Sequence, residues 1–328
     1  MTREIVLAAR PQGVPKESDF AVRDVDDAEP AEGQVLVRNV FVSVDPYMRG
    51  RMSGIRTYVD PYDVGSPIDG GAVGRVVESR HAGFAAGDWV LSRLGWREHG
   101  VAEGDHVRKL DPAAAPPSTA LGVLGMPGLT AWVGLVDIGR VEAGETIYVS
   151  GAAGAVGSIA AQIAKQKGLR VIGSAGTDEK VEWLTSLGVE AFDYRSTRVR
   201  DALKDGIDVC FDNVGGEQLE AAISALRPFG RVVACGAIAR YNDERAEPGP
   251  RNMSLVVTNR LRIEGFIVVD HMQRFPTFIA EVGPWVRDGT VQYRETIVEG
   301  LERVPAAFAG LFEGANIGKM LVRVGPDD

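Results

Sequence analysis

Residues 151 to 168 read "GAAGAVGSIAAQIAKQKG", three glycines spaced GxxGxxG between an apolar run, "TIYVS", and a stretch with the composition of a helix. A glycine-paced turn that closes a strand and opens a helix starts a crossover, and a crossover returns the chain to a parallel neighbour. Downstream, "LRVIGS", "VEAFD", "IDVCFD", "RVVACG" and "LRIEGFIV" continue the strand series, with helical candidates at 155–167, 178–187, 216–226 and 252–259. Short strands that are apolar on both faces need helices on both, so the pattern predicts an α/β fold built on a doubly wound parallel sheet.

Upstream of about residue 115 the signals differ. "GQVLVRNVFVSV", "GGAVGRVVES" and "GDWVLSRL" are β-rich runs separated by Gly, Pro and Asp, as in a mostly β module. A length of 328 residues suits two domains. We place the β domain at 1–118, completed by 290–328, and the nucleotide domain at 119–289. The tail, with a helix near 305–313 and the strand "GKMLVRV", is expected to rejoin the first domain.

A net charge of -9 and a pI near 5.2 provide no broad basic surface, which argues against nucleic acid as a partner. The two cysteines, Cys210 and Cys235, lie in apolar runs and read as free thiols of a reducing compartment. The first residues carry no apolar core followed by a cleavage site, so a cytoplasmic location is expected. Residues 112–136 carry no charge, but four prolines and four glycines interrupt them. They read as a buried interdomain connection rather than a membrane span.

Taken alone, the glycine turn is equally an ordinary strand-to-helix turn or a pyrophosphate cradle at a helix N-terminus. The end of the second strand, "VIGSAG", adds information. An NAD site usually has Asp or Glu there for the ribose hydroxyls. Here Ser174, Gly176 and Thr177 leave room for a 2′-phosphate, with Lys180 one turn onward to neutralise it. By itself Lys180 would read as a solvated helix position, but together these features point to NADP.

The strings "SVDPYMRGRM" (43–52), "GMPGLTAWVGL" (125–135), "SGAAGAVGSIAAQIAKQKG" (150–168), "FDNVGGE" (211–217), "CGAIARYN" (235–242) and "NIGKMLV" (316–322) resemble the zinc-independent medium-chain dehydrogenase/reductases. The similar branch is that of the prostaglandin, curcumin and plant double-bond reductases. The resemblance spans nearly the whole chain in order. It implies a GroES-like β domain joined to a Rossmann domain, with the active site in the cleft between them. It further implies that Ala152, Ala153, Gly154, Ala155 and Val156 line the pyrophosphate, and that Lys180 and Tyr194 hold the 2′-phosphate. Asn213, the segment Cys235, Gly236, Ala237, Ile238 to Tyr241, then Phe266, Ile267, Val268 and Asn316 would contact the rest of the cofactor. The plainer readings are a turn former for Asn213, core positions for Phe266 and Ile267, and an exposed loop aromatic for Tyr241.

Zinc members of the wider superfamily use Cys, His and acidic ligands. Here the four histidines are scattered and neither cysteine lies in the β domain, so no metal is expected. Without a Lewis acid, stabilising an alkoxide is harder than stabilising an enolate with hydrogen-bond donors. The expected reaction is therefore reduction of the activated C=C bond of a small apolar enone or enal by NADPH. Tyr241, the nicotinamide ribose hydroxyl or Tyr47 would act as the donor. Tyr47, Met48, Met52, Tyr58, Trp96 and Met126 are candidates for an apolar cleft wall. An NADPH:quinone oxidoreductase and a non-catalytic NADPH-binding sensor or scaffold remain as alternatives. The family also implies a homodimer joined at the Rossmann sheet edge.

Overall fold

Six strands lie in the spatial order Glu190–Asp193, Arg170–Ala175, Thr146–Val149, Ile207–Asp212, Leu226–Ala234 and Arg262–Gly265, every neighbouring pair parallel. Numbered along the chain, this order is 3-2-1-4-5-6, so the direction of winding reverses between the first and fourth strands, where such sheets bind their ligands. The computed structural model describes residues 1–245 and 247–326. Chain contacts divide it into two units, Met1–Leu121 with the chain from Glu295 onward, and Gly122–Arg294.

Thr146–Val149 is buried at every position, and Ile207–Asp212 at every position but Asp208. The helix Gly157–Gln166 buries its first eight residues. Gly157, Ser158, Ala160, Ala161 and Ala164 are small enough to let its backbone approach the sheet. The helix Asp178–Ser186 starts where the Thr177 hydroxyl accepts the Lys180 N–H, and Asp178 and Glu179 complement the positive end of its dipole. Helices at Gly216–Ala225 and Ser254–Thr258 complete the later crossovers.

In the other unit the main sheet runs Glu295–Glu299, Lys319–Arg323, Gln34–Ser43, Ala72–Ser79, Trp89–Ser92, Arg108–Leu110, and His99–Glu103 pairs with Gln34–Ser43. The strand Lys319–Arg323 is antiparallel to Gln34–Ser43, so the end of the chain is built into the N-terminal sheet. A hairpin-like pair, Thr2–Leu7 with Phe20–Val25, went unrecognised in the sequence. Around it packs a core of Phe20, Met48, Met52, Tyr62, Trp96 and Phe308.

The uncharged stretch 112–136 is broken into a turn, Pro117–Leu121, and a short helix, Met126–Val133. Among the described residues no helix is long and apolar enough to cross a membrane.

Candidate active site

The glycine turn has the backbone its spacing requires. Gly151 sits at φ +57, the left-handed region open to glycine. A Cβ on Gly157 would lie 2.3 Å from the Gly151 carbonyl oxygen, so only glycine lets the helix start this close to the strand. The Ala152 amide donates to the Ser174 carbonyl (2.9 Å), and the Ser158 amide to the Gly154 carbonyl (3.0 Å). These bonds fix Ala152 to Val156 at the N-terminus of the helix, whose dipole favours an anion.

At the end of the second strand, Gly176 lies under Tyr194. A Cβ there would come within 3.1 Å of the phenol oxygen. The Tyr194 amide donates to the Ala175 carbonyl at 3.1 Å, which brings the end of the third strand beside the first turn of the helix that carries Lys180. Burial, followed by the charge of Arg195, pulls the Lys180 ammonium below the ordinary lysine range. Ser174 takes no part in this opening. Its hydroxyl is buried and bonded at 2.8 Å to both the Tyr148 phenol and the Gln218 side chain, a polar triad inside the sheet. Arg195 and this triad went unrecognised in the sequence. The only sequence signal for Arg195 is its place next to Tyr194.

At the switch point the organising residue is Asp212, also missed. Its carboxylate accepts the Ser150 hydroxyl (2.7 Å) and the amides of Val214 (3.2 Å) and Gly215 (3.1 Å). Its backbone carbonyl accepts the amides of Cys235 (2.9 Å) and Gly236 (3.1 Å). Asn213 adds a bond from its side-chain amide to the Ser150 carbonyl (2.8 Å), and its own carbonyl accepts the Ile238 amide (3.2 Å). Asn213 is thus more than a turn former: with Asp212 it ties the end of the first strand to the loop 235–241. Burial holds the Asp212 carboxyl above the ordinary aspartate range despite the opposing hydrogen bonds.

Within that loop the Tyr241 phenol oxygen accepts the Ala237 amide at 3.2 Å and lies 3.3 Å from where a Gly236 Cβ would stand. Tyr241 is half-buried, which corrects the exposed-aromatic alternative, and burial raises its pKa above the usual phenol value. The phenol therefore stays protonated at neutral pH and keeps its O–H to donate. Cys235 falls one residue beyond the strand, contrary to its placement from sequence, and burial pushes its thiol up to about 12. That value rules it out as a nucleophile at neutral pH. Phe266, Ile267 and Val268 likewise follow the sixth strand, which ends at Gly265, and are half-buried rather than core.

Tyr47 and Asn316 belong to the other unit. The Asp45 carbonyl accepts the Met48 amide (3.0 Å), a turn that sets Tyr47 at the head of the short helix Met48–Arg51. Asp45 is held by the Ser43 hydroxyl (2.5 Å) and the buried Lys319 ammonium (3.1 Å), so its carboxylate is already neutralised from within the protein. Burial first, and then Asp45, keep the Tyr47 phenol protonated. The Asn316 side chain donates to the Gly318 carbonyl at 2.6 Å. Of the suggested wall residues, Met48, Met52 and Trp96 are fully buried core, and the Trp96 indole donates to the Ser43 carbonyl. Tyr58 and Met126 are exposed.

Residues 3–110 match the model of an N-terminal domain of oxidoreductase, and residues 155–283 that of a zinc-binding dehydrogenase. The chain is 43% identical over 337 residues to the NADPH-dependent curcumin reductase of Escherichia coli (strain K12), covering 99% of this chain and 98% of that one. The chain belongs to the zinc-independent medium-chain dehydrogenase/reductases. Within them it falls in the curcumin, prostaglandin and alkenal reductase branch. It is 40% identical to a 2-alkenal reductase (NADP(+)-dependent) of Nicotiana tabacum over 98% of this chain and 97% of that one. The crystal structure of CurA in complex with NADPH from Vibrio vulnificus superposes with a TM-score of 0.94 at 41% identity, covering 99% of both chains. The matched dehydrogenase model carries zinc in its description, yet among the described residues no three His, Cys, Asp or Glu side chains gather as a metal site.

Proposed function

We infer that this chain is an NADPH-dependent reductase of the activated C=C bond of α,β-unsaturated aldehydes and ketones. The observation that carries this reading is end-to-end similarity, at 40–43% identity, to reductases named for such chemistry. The residues fit the cofactor: Gly151 and Gly157 allow the tight turn that sets the helix N-terminus against the strand, and the strand end at Gly176, covered by Tyr194, carries no acid where one would stand in an NAD site.

In our assignment, Ala152, Ala153, Gly154, Ala155 and Val156 hold the pyrophosphate, while Lys180 and Tyr194 hold the 2′-phosphate. Asn213, the loop Cys235–Tyr241, Phe266–Val268 and Asn316 orient the remainder. When bound, NADPH supplies the hydride for the β-carbon. Tyr241 donates its O–H to the carbonyl oxygen as negative charge builds there, with Tyr47 as the second candidate donor, and solvent protonates the α-carbon. Both phenols are held above their usual pKa by burial, so each enters the reaction as a donor without prior tuning.

Arg262–Gly265 is one edge strand of the parallel sheet; among the described residues no strand pairs with its outer side, and Ile263, Val257 and Phe229 are exposed. We assign this edge to a homodimer, because an unprotected edge strand is a ready template for pairing. Light scattering on the wild type and a Val257→Glu variant tests it, and a monomeric wild type rejects it. The free, inert thiols favour a cytoplasmic location.

The deciding experiment follows NADPH absorbance against a panel of enals, enones and quinones. Turnover confined to the quinones would reject the enone reading, and binding without turnover on any of them would favour a sensor.

A further inference from the structure

We propose that Arg195 is a second cation of the 2′-phosphate site and a determinant of NADPH over NADH, an inference that rests on the NADPH reading above. The strand Glu190–Asp193 ends in a turn closed by Asp193, whose carboxylate accepts the Arg195 amide (2.8 Å) and whose carbonyl accepts the amides of Ser196 (3.2 Å) and Thr197 (2.8 Å). Those bonds fix the backbone from which Tyr194 and Arg195 project. The Tyr194 ring covers Gly176, and the Arg195 guanidinium carbon lies 6.0 Å from the ring centroid.

Lys180 approaches the same place from the neighbouring helix, and the charge of Arg195 acts on it more strongly than that of Glu179. The Arg195 guanidinium thus lies by the ring that covers Gly176, near enough to Lys180 for the two positive charges to act on each other. Among the described residues Arg195 makes no ion pair with a carboxylate, whereas Arg198, three residues on, is turned to Asp201 at 3.7 Å. Gathering like charges is unfavourable unless an anion completes the group, and a phosphate dianion has acceptor oxygens enough for an ammonium, a guanidinium and a phenol. Arg195 is exposed, so its contribution is screened by salt.

The test compares Arg195→Ala, Arg195→Lys and Lys180→Ala with the wild type. The readouts are the ratio of kcat/KM for NADPH to that for NADH, and competitive inhibition by 2′,5′-ADP at low and high salt. We expect Arg195→Ala to lower the ratio, and to raise the 2′,5′-ADP inhibition constant, by about 5- to 20-fold at low salt and less at high salt. Arg195→Lys should recover most of both. If Lys180→Ala shows the loss and Arg195→Ala stays within about two-fold, the role of Arg195 is rejected while the NADPH site stands. If neither variant shows it, the NADPH site itself is misplaced. A loss with Arg195→Ala that is equal for NADPH and NADH would also overturn the inference, because it would reflect the fold of the turn.

Discussion

The Tyr241 phenol oxygen accepts the backbone N–H of Ala237 at 3.2 Å, so the loop 235–241 braces its own phenol. That bond uses an oxygen lone pair and leaves the phenolic proton for the substrate. Loss of one oxyanion donor typically costs about 10²- to 10³-fold in turnover, and a ribose hydroxyl or Tyr47, the other proposed donors, would share the load. Tyr241→Phe should therefore lower kcat on an enone by about 10- to 100-fold with a smaller change in NADPH affinity. Near-wild-type turnover in a folded variant would transfer the role to one of the other donors.

Lys180→Glu places a carboxylate where the 2′-phosphate is assigned. A charge-assisted hydrogen bond contributes about 1.5–3 kcal/mol. The Michaelis constant for NADPH should rise by at least about ten-fold, and that for NADH much less, because only the former carries the phosphate. Steady-state kinetics with both cofactors decide the matter, and equal use of the two by the wild type would refute the assignment.

Asp212→Ala removes the acceptor of the Ser150 hydroxyl and of two backbone amides in a buried place. The expected loss is about 2–4 kcal/mol in urea unfolding, because buried donors are left unsatisfied. Because the folded carboxyl has a raised pKa, its protonated form is favoured by folding. That contribution is full below the ordinary aspartate range and is lost as pH rises through the raised value. Asp212→Asn should therefore flatten the stability profile over the pH range just above that of an ordinary aspartate, and an unchanged profile would count against a buried, protonated Asp212.

Gly157→Ala puts a methyl group 2.3 Å from the Gly151 carbonyl, and the obstacle is backbone rather than a movable side chain. Overpacking of this kind costs about 1–3 kcal/mol. Thermal unfolding with and without NADPH should show both a lower melting temperature and a smaller shift on adding cofactor. A variant with the wild-type shift would mean that the cradle tolerates displacement.

The doubly wound sheet and the glycine turn were legible in the sequence because both are short-range. Strand and helix periods, and the backbone that Gly151 and Gly157 permit, are set by residues a few positions apart. The lack of an acid within "VIGSAG", at the end of the second strand, was legible for the same reason. The structure then decided which side chains meet across distance. Met48, Met52 and Trp96 have the composition of a substrate wall, but residues from the strand Thr2–Leu7 and the helix Val304–Glu313, Ile5 and Phe308 among them, enclose them as core. Ser174 and Asp212 look like ordinary strand-end polar residues until Tyr148, Gln218 and Ser150 arrive from other strands and helices to satisfy them. Arg195 and Arg198 are equivalent as letters, and the turn closed by Asp193 separates them. The sequence by itself thus determined the layout of the nucleotide domain, while the tertiary structure decided which polar groups are satisfied inside the protein and which are left to a ligand. A hydrogen bond or an ion pair depends on atoms a few ångströms apart, and residues far apart in the chain reach that distance only once it has folded.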